Sequence, residues 1–428
     1  MNTHALSWPQ SLWKSSAETL SDCPPITHNL ESDVLIIGAG YTGLSTALHA
    51  RENHPDIIVI DQMQPGWGCS GRNGGQINPQ WKPSLDQLKQ KYTGAAFDQF
   101  IKALDQSADL VFDLVSQYQL NCQAQRVGSL IPGRGIKARK YLTQWTKFWQ
   151  EYGCDVALLD SAESANLIGT EHYDYCMFDR RGGSLQPLSY ARGLARACLE
   201  NNVQIFGDSQ ATGIERKAQQ WIVTVNGVKL SARKLVIATN GYTGNLWPQL
   251  KKTIIPVASM LTATTSLPEN LACQILPQRQ PVAEFAGVPA YYRLDESNRM
   301  VFGWRGTPTG SIGNMNTSHL QSKAKKLFPQ LNDAKWEYNW AGYVGITSHQ
   351  RPMLLDLGEN AFAGLGFNGR GITMATMMGK QLALALSGEP TAIGVRPIET
   401  IKFHSYYPLG VFSRIASGHI ADAITRRT

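Results

Sequence analysis

The sequence lacks the patterns that mark disulfide-rich, metal-binding, nucleic-acid-binding and membrane-spanning proteins. Its seven cysteines are an odd, widely spaced set with no C-x-x-C pair and no histidine at metal-ligand spacing, so we expect reduced thiols and no metal site. The net charge of +7 is spread along the chain, without the basic stripe that nucleic acid requires. An uncharged stretch at residues 253–268 is rich in Thr and Ser and contains Pro256, which argues against a transmembrane helix there.

The beginning of the chain lacks the basic start and apolar core of a secretory signal. Together with the expected reduced thiols, this predicts a cytoplasmic location. Residues 1–32 contain Pro9, Pro24 and Pro25 among polar residues, which favours an N-terminal arm lying over the surface of the domain.

What the sequence does contain is a globular composition and a nucleotide-binding pattern. The 428 residues, of which 43% are apolar and 17% charged, predict a compact fold of two or three domains. An apolar β-branched run at residues 33–37 enters a glycine turn, and a helix with apolar residues at helical spacing follows. A second strand spans residues 57–60.

The glycine turn has the form G-x-G-x-x-G, with Gly38, Gly40 and Gly43, and Asp61 stands 21 residues beyond Gly40. Bare backbone lets a pyrophosphate approach, the helix N-terminus offers N–H groups, and a carboxylate accepts hydrogen bonds from ribose hydroxyls. The pattern therefore predicts a dinucleotide site. NAD and FAD share it, so the turn alone does not choose between them.

A second glycine-rich stretch, residues 65–76, follows directly after Asp61. Its five glycines and Arg72 could wrap an extended phosphate and ribityl chain, for which a nicotinamide enzyme has no need. This stretch favours FAD, with a nicotinamide-dependent dehydrogenase as the remaining alternative.

A third glycine-rich stretch, residues 364–371, opens a predicted helix over residues 372–386. The N-terminus of that helix would direct N–H groups and positive potential at an electron-rich ring, which stabilises the anion of a reduced flavin.

The other segments indicate two kinds of structure. Helices are expected between residues 86 and 149 and at 190–201, with short strands at 127–131, 203–206, 221–225 and 235–238. Between residues 254 and 340 the pattern changes to short β-type runs, which predicts a separate sheet.

Several of these segments together resemble the D-amino-acid-oxidase-like FAD oxidoreductases, and within them the bacterial gamma-glutamylputrescine oxidoreductase branch. The resemblance rests on residues 36–45, 70–76, 182–187, 238–242 and 366–371. It implies an α/β fold, α+β overall, with a Rossmann-like FAD-binding domain assembled from discontinuous segments and a mixed-sheet substrate domain. The expected division is an arm at 1–32, an FAD-binding domain at 33–90, 155–250 and 341–392, a substrate domain at 91–154 and 251–340, and a tail at 393–428.

The resemblance also implies which residues contact FAD, which we expect to bind non-covalently because no cysteine follows Cys273. The expected cofactor-binding residues are Gly38, Gly40, Tyr41, Thr42, Gly43, Asp61, Gln62, Gly68, Ser70, Gly71, Arg72, Asn73, Gly74, Gly75, Gln76, Ala211, Thr239, Asn240, Gly241, Gly366, Phe367, Asn368, Gly369, Arg370, Gly371 and Ile372.

The implied reaction removes a hydride from a carbon that bears a neutral amine, giving an imine that water hydrolyses. Such chemistry depends on positioning more than on a strong base. We expect catalytic roles for His349, Tyr292 and Arg351, and a substrate pocket that includes Arg293, Trp304, Arg305, Trp340 and Tyr343. An aromatic wall favours a deprotonated amine, and an arginine would clamp a carboxylate.

Three functions remain open at this point. The resemblance favours an ω-amine such as γ-glutamylputrescine, and a cyclic or N-alkyl amino acid such as pipecolate is the alternative substrate. A flavin-holding partner protein for a second enzyme is the alternative of another class. The electron acceptor is expected to be oxygen or a quinone-type carrier, and the aromatic and basic tail at residues 406–414 could contact the inner face of a membrane.

Overall fold

A computed structural model describes residues 7–81, 83–305 and 316–425, with the backbone alone at residues 305, 415 and 419–425. The chain alternates helices and strands in the order expected of an α/β protein. The helices are α1 Leu12–Ser16, α2 Tyr41–Ala50, α3 Leu85–Lys91, α4 Ala95–Asp105, α5 Ser107–Gln117, α6 Gly135–Glu151, α7 Ser161–Ile168, α8 Pro187–Glu200, α9 Pro248–Lys251, α10 Glu269–Ala272, α11 Ser318–Leu327, α12 Gly371–Leu386 and α13 Tyr407–Thr425.

The strands form two large sheets and a short pair. They are β1 Leu30–Ile37, β2 Ile57–Ile60, β3 Gln76–Ile77, β4 Ser129–Gly133, β5 Val156–Leu159, β6 Tyr175–Asp179, β7 Gly183–Ser184, β8 Gln204–Phe206, β9 Ala211–Lys217, β10 Gln220–Val225, β11 Val228–Ile237, β12 Ile255–Thr264, β13 Val282–Ala283, β14 Tyr291–Leu294, β15 Met300–Arg305, β16 Trp336–Ile346, β17 Met353–Gly358, β18 Ala361–Leu365 and β19 Val395–Arg396.

The first sheet has the order β19-β17-β18-β11-β1-β2-β8, and β10 and β9 extend from β11 as an antiparallel hairpin. Strands β8, β2, β1, β11 and β18 run parallel. Residues 34–37 of β1 and all of β2 are buried, which explains the continuous apolar sequence of these two segments. Because parallel strands end at the same edge, the turn after β1, Asp61 after β2 and the segment after β11 lie side by side.

The second sheet has the order β16-β12-β15-β14-β13-β4-β6-β5 and is antiparallel except between β13 and β4. Strands β5 and β6 pair in this sheet, although they lie within the segment 155–250 that the sequence assigns to the FAD-binding domain. Their apolar runs are too short to show which sheet they join, because that depends on the pairing of β6 with β4 and of β5 with β6. The α/β fold with a second mixed sheet is confirmed, while the domain boundaries remain a prediction.

Helices α2 and α12 pack against each other over the first sheet. Gly379 makes the close approach possible, since a Cβ there would lie 2.4 Å from the Ser45 Cβ. The Ser45 hydroxyl donates to the Thr376 carbonyl at 2.7 Å. This packing aligns the N-termini of the two helices that the first and third glycine stretches open.

Residues near both ends of the described chain pack against the rest of the molecule. Leu12 and Trp13 of the expected N-terminal arm are fully buried, while the division of the chain into an arm and domains remains a prediction. A polar sequence with isolated tryptophans carries no periodicity that would reveal such insertion. At the other end, α13 reaches Gly287, whose added Cβ would lie 2.7 Å from the Gly418 carbonyl oxygen.

Candidate functional site

The first glycine stretch joins β1 to α2 in a turn that only glycine accommodates. Gly38 has a φ of +116°, and a Cβ on Gly43 would lie 1.9 Å from the Gly38 carbonyl oxygen. The backbone of Gly40 is extended, and this N-cap residue has no side chain that could cap the first turn of α2, which begins at Tyr41. The first-turn N–H groups and the helix dipole therefore favour an anion at this point.

Asp61 stands at the end of β2, beside this turn. Its carboxylate accepts from the Ala39 N–H at 2.7 Å and from the Met63 N–H at 3.0 Å. Burial raises the pKa of the Asp61 carboxyl to about 6, against the opposing effect of these two hydrogen bonds. The Ser209 N–H donates to the Asp61 carbonyl at 2.7 Å, which brings the start of β9 at Ala211 to the same place. Gln62 is exposed next to it.

The second glycine stretch lies across the start of α2. The Gly66 N–H donates to the Ala39 carbonyl at 3.0 Å, and the Ser70 hydroxyl accepts from the Tyr41 N–H at 3.1 Å. A Cβ on Gly40 would lie 2.9 Å from the Ser70 hydroxyl oxygen, so the two stretches are in contact. They form one surface around the helix N-terminus.

Arg72 is the buried cation of this surface. Its guanidinium lies 4.2 Å from the Trp67 ring centre, with Nε donating to the Trp67 carbonyl at 2.8 Å and Nη1 to the Ala341 carbonyl at 3.2 Å. Burial lowers the pKa of Arg72 from its ordinary value. The arginine therefore links the second glycine stretch to β16.

The third glycine stretch and the segment after β11 lie beside the first two stretches. We call the surface that they form together the cradle; it comprises residues 38–43, 61, 65–78, 238–242 and 364–373. The Gly366 N–H donates to the Asn240 side-chain oxygen at 3.0 Å, and a Cβ on Gly241 would lie 2.5 Å from the Tyr343 carbonyl oxygen. The Thr373 hydroxyl donates to the Asn78 carbonyl at 3.1 Å, which joins the start of α12 to the end of the second stretch. All the glycine-bearing stretches thus meet at one edge of the first sheet.

The polar atoms of this cradle fit a ligand rich in hydrogen-bond acceptors. Four buried nitrogens have no hydrogen-bond partner among the described residues, and all are donors: Trp67 Nε1, Arg72 Nη2, Asn78 Nδ2 and Arg370 Nε. No described atom lies within 4 Å of where a Cβ on Gly371 would stand, so the first turn of α12 is accessible. Phosphate oxygens and the carbonyl oxygens of a flavin ring are acceptors, so FAD fits this donor set.

The residues expected in the substrate pocket fall into two groups. Trp340 and Arg293 lie against the second glycine stretch, donating to the carbonyls of Arg72 and Gly74, and the Tyr343 ring centre is 5.7 Å from that of Tyr242.

The side chains of Tyr292 and Trp304 make their contacts within the second sheet and its loops, although the Tyr292 carbonyl accepts from the Gln76 side chain of the second glycine stretch at 3.4 Å. Tyr292 is buried within the second sheet, stacked on Phe302 and with its hydroxyl 3.0 Å from that of Tyr173. Trp304 donates to the Val288 carbonyl at 2.8 Å. The Arg305 side chain is outside the described part of the chain.

His349 and Arg351 occupy a turn beside the third glycine stretch. The turn is anchored there because the Thr347 N–H donates to the Asn368 side-chain oxygen at 2.9 Å and the Thr347 hydroxyl to the Arg351 carbonyl at 3.1 Å. The Arg351 N–H donates to His349 Nδ1 at 3.1 Å, so the proton of the neutral ring lies on Nε2. Burial, with the charges of Arg351 and Lys91, lowers the pKa of His349 to about 4, which does not favour a role as base at neutral pH.

Sequence reasoning missed a cluster of half-buried cations around this turn, which we call the cationic cluster: Lys91, Arg351 and Arg396. Lys91 Nζ donates to the His349 carbonyl at 2.6 Å. The guanidinium carbons of Arg351 and Arg396 each lie 5.9 Å from the Tyr92 ring centre. These residues are distant in sequence and carry no motif, so no sequence signal could have grouped them.

Comparison with known proteins shows which family the chain matches and which relatives and solved structures it is similar to. Residues 33–385 match the family model described as FAD dependent oxidoreductase, DAO. Gamma-glutamylputrescine oxidoreductase of Escherichia coli is 28% identical over 382 residues, covering 89% of each chain. Glycine oxidase of Geobacillus kaustophilus superposes with a TM-score of 0.72 at 18% identity, covering 86% of this chain and 97% of the other. L-proline dehydrogenase of P. horikoshii gives a TM-score of 0.72 at 18% identity, covering 85% and 95%. These two structures share the fold.

Proposed function

This chain belongs to the DAO family of FAD-dependent oxidoreductases, and on that premise we propose that it oxidises the C–N bond of an ω-amine whose far end carries a carboxylate, as in γ-glutamylputrescine. An FAD-dependent oxidoreductase of amines or amino acids is what the family and its relatives support. The narrower substrate is our inference from the arrangement of charges around the cradle.

The cationic cluster is the observation that carries the proposal. Its three cations are half-buried beside the third glycine stretch, and Glu399 is the carboxylate whose charge acts on Arg351. Neighbouring cations repel one another at this depth, and a carboxylate bound among them would relieve that repulsion. An ω-amine with a carboxylate at its far end can place that carboxylate here and extend its amine toward the cradle.

Arg293, which could also have clamped a carboxylate, is engaged elsewhere. Its three nitrogens donate to the carbonyls of Gly74, Leu294 and Leu185 at 3.0, 3.3 and 2.8 Å. Carboxylate recognition is therefore assigned to the cationic cluster.

The chain's own residues hold and orient the cofactor. The first-turn N–H groups of α2 would hold the pyrophosphate, Asp61 would accept from the ribose, and Arg72 and Trp67 would donate to phosphate oxygens. When bound, FAD accepts the hydride from the amine-bearing carbon. Arg370 and the N-terminus of α12 would place positive potential beside the ring, and Tyr343 and Tyr242 would form an aromatic wall that favours the neutral amine.

We propose that a quinone-type carrier at an anionic membrane surface accepts the electrons, through an exposed apolar face formed by Phe403, Tyr406, Leu409 and Phe412. These side chains are between 66% and 81% exposed. Residues 400–421 include Lys402 and Arg414 but no Asp or Glu, a composition that suits anionic headgroups. Among the described residues, no helix is long and apolar enough to span a bilayer.

An anaerobic amine panel tests the reaction. The holoprotein is mixed with γ-glutamylputrescine, putrescine, pipecolate, proline and glycine, and bleaching of the flavin absorbance is followed. We expect rapid bleaching by γ-glutamylputrescine and much slower bleaching by putrescine, which lacks the carboxylate. Preferential bleaching by pipecolate or proline would overturn the ω-amine proposal, and no bleaching by any amine would indicate the flavin-holding partner role.

The acceptor is tested separately. Air or a soluble quinone analogue is added to the reduced protein, and sedimentation with neutral and anionic phospholipid vesicles is compared. We expect the quinone analogue to reoxidise the flavin, and we expect the protein to sediment with anionic vesicles but not with neutral ones. A variant that carries both Leu409→Ser and Phe412→Ser should no longer sediment with the anionic vesicles. Rapid reoxidation by air without vesicle binding would contradict the membrane proposal.

A further inference from the structure

Three consecutive backbone carbonyls of the second glycine stretch each accept a hydrogen bond from a different part of the molecule. The Arg72 carbonyl accepts from the Trp340 indole of β16 at 2.9 Å. The Asn73 carbonyl accepts from the Trp13 indole of the N-terminal arm at 2.7 Å. The Gly74 carbonyl accepts from Arg293 Nε of β14 at 3.0 Å.

Trp13 is held tightly in this position. Its side chain is fully buried, its ring meets Trp340 edge to face at 5.7 Å between centres, and the Arg293 guanidinium lies 5.0 Å from its ring centre. Its own carbonyl accepts from the Gln186 side chain at 2.9 Å. The family model begins at residue 33, so this contact comes from outside the matched region.

The direction of each carbonyl determines the direction of the N–H group in the same peptide. In a trans peptide the C=O and the N–H point to opposite sides. The Asn73 N–H, opposite the Arg72 carbonyl, donates to the Cys69 carbonyl at 3.1 Å. The Gly75 N–H, opposite the Gly74 carbonyl, donates to the Asn73 side-chain oxygen at 2.9 Å.

The Gly74 N–H is different, because it donates to no acceptor among the described residues. It belongs to the peptide whose carbonyl Trp13 holds, so the indole turns this N–H away from the arm. We propose that Trp13 is a positioning residue for FAD: by holding the Asn73 carbonyl, it presents the Gly74 N–H as a donor to an acceptor atom of the cofactor.

The test measures FAD binding to purified apoprotein and needs no substrate. Trp13→Phe keeps an aromatic ring but removes the indole donor. We expect an approximately tenfold rise in the FAD Kd, as the loss of one such hydrogen bond would give, and a shift in the visible flavin spectrum. Trp8→Phe is the arm control, because Trp8 packs against the same hydrophobic cluster as Trp13 and contacts Lys14 and Arg192, but its indole donates to no carbonyl of the second glycine stretch among the described residues. It should leave the FAD Kd and the spectrum unchanged.

Trp340→Phe is the sharper comparison. It removes the indole that donates to the Arg72 carbonyl. The N–H of that peptide, on Asn73, already donates to the Cys69 carbonyl, so the FAD Kd should rise less than in Trp13→Phe. Melting temperatures of the apoprotein and the holoprotein show whether Trp13 positions FAD or only packs in the core. If Trp13 positions FAD, Trp13→Phe should reduce the rise in melting temperature that FAD binding gives. An unchanged FAD Kd and spectrum in Trp13→Phe, equal effects in Trp13→Phe and Trp340→Phe, or equal melting losses with and without FAD would overturn the proposal.

Discussion

Gly43 approaches Gly38 so closely that a Cβ on Gly43 would stand 1.9 Å from the Gly38 carbonyl oxygen. The contact seats α2 on the end of β1 and aims its N-terminus into the cradle. Gly43→Ala must displace backbone, and an overpacked core costs about 1–3 kcal/mol or more. We expect purified protein with little bound flavin and a lowered melting temperature, measured by the ratio of visible to ultraviolet absorbance and by calorimetry. Gly244→Ala, at a position with no described atom within 4 Å, should match the wild type.

Gly371 begins α12 and has no described atom within 4 Å of an added Cβ. Gly371→Ala should therefore leave the apoprotein melting temperature unchanged or slightly raised, because alanine favours a helix. The added methyl group would project into the cradle, so we expect altered flavin absorbance and weaker FAD binding. Wild-type FAD affinity and absorbance in this variant would show that the ring does not lie at the start of α12.

Asp61 gives FAD binding a pH dependence. Burial raises its pKa to about 6, so the carboxylate proposed to accept from the ribose is lost as pH falls through that value. FAD affinity should fall below pH 6, as measured by quenching of flavin fluorescence. Asp61→Asn should bind FAD about 10- to 100-fold more weakly at neutral pH and should lack this inflection. Asp208→Asn removes a neighbouring exposed carboxylate, and this variant should keep the inflection in FAD affinity.

The raised pKa of Asp61 also makes the stability of the apoprotein depend on pH. The folded state binds a proton that the unfolded state releases between about pH 4 and pH 6, so this carboxyl destabilises the fold progressively as pH rises through that range. Asp61→Asn should accordingly raise the apoprotein melting temperature at neutral pH while it weakens FAD binding. A lower apoprotein melting temperature would contradict the direction of the shift.

His349 should not set the pH optimum of flavin reduction. Its pKa of about 4 means that it is already neutral well below pH 6.5, and the anaerobic rate should show no inflection that His349→Asn removes. The lowered pKa also predicts a loss of stability as pH falls from about 6.5 toward 4, because the unfolded chain takes up the proton more readily. His349→Asn should lose less stability than the wild type over this pH range. If the rate of flavin reduction showed an inflection near pH 6.5 that His349→Asn abolished, His349 would be the catalytic base after all.

Arg396 tests carboxylate recognition without disturbing the turn that contains Arg351. Arg396→Gln should raise the KM for γ-glutamylputrescine about 10- to 100-fold, the effect of losing a charged hydrogen bond, with little change in kcat. The KM for putrescine should stay constant, because that amine carries no carboxylate. Arg233→Gln, on an exposed side chain that pairs with Asp33, is the charge-matched control. Equal changes for both amines would contradict the assignment.

Much of the cradle was predictable because its chemistry is local. Gly38 needs a positive φ, Gly43 needs close approach, and Asp61 must follow the next strand, and each of these constraints is written within a short segment. The two strands β5 and β6 were harder to place, since their sheet depends on pairing with β4. The roles expected of Arg293 and Tyr292 likewise depend on which face of the second sheet each side chain occupies.

The family and the glycine-bearing turns of the cradle could be predicted from the sequence, because tight turns and helix N-termini depend on residues only a few positions apart. The sequence did not reveal that the Trp13 indole bonds the second glycine stretch, that Arg293 donates to backbone carbonyls, or that Lys91, Arg351 and Arg396 lie around His349 and Tyr92. Such contacts join residues tens to hundreds of positions apart. They depend on how the two sheets and the arm pack together, which no local pattern encodes.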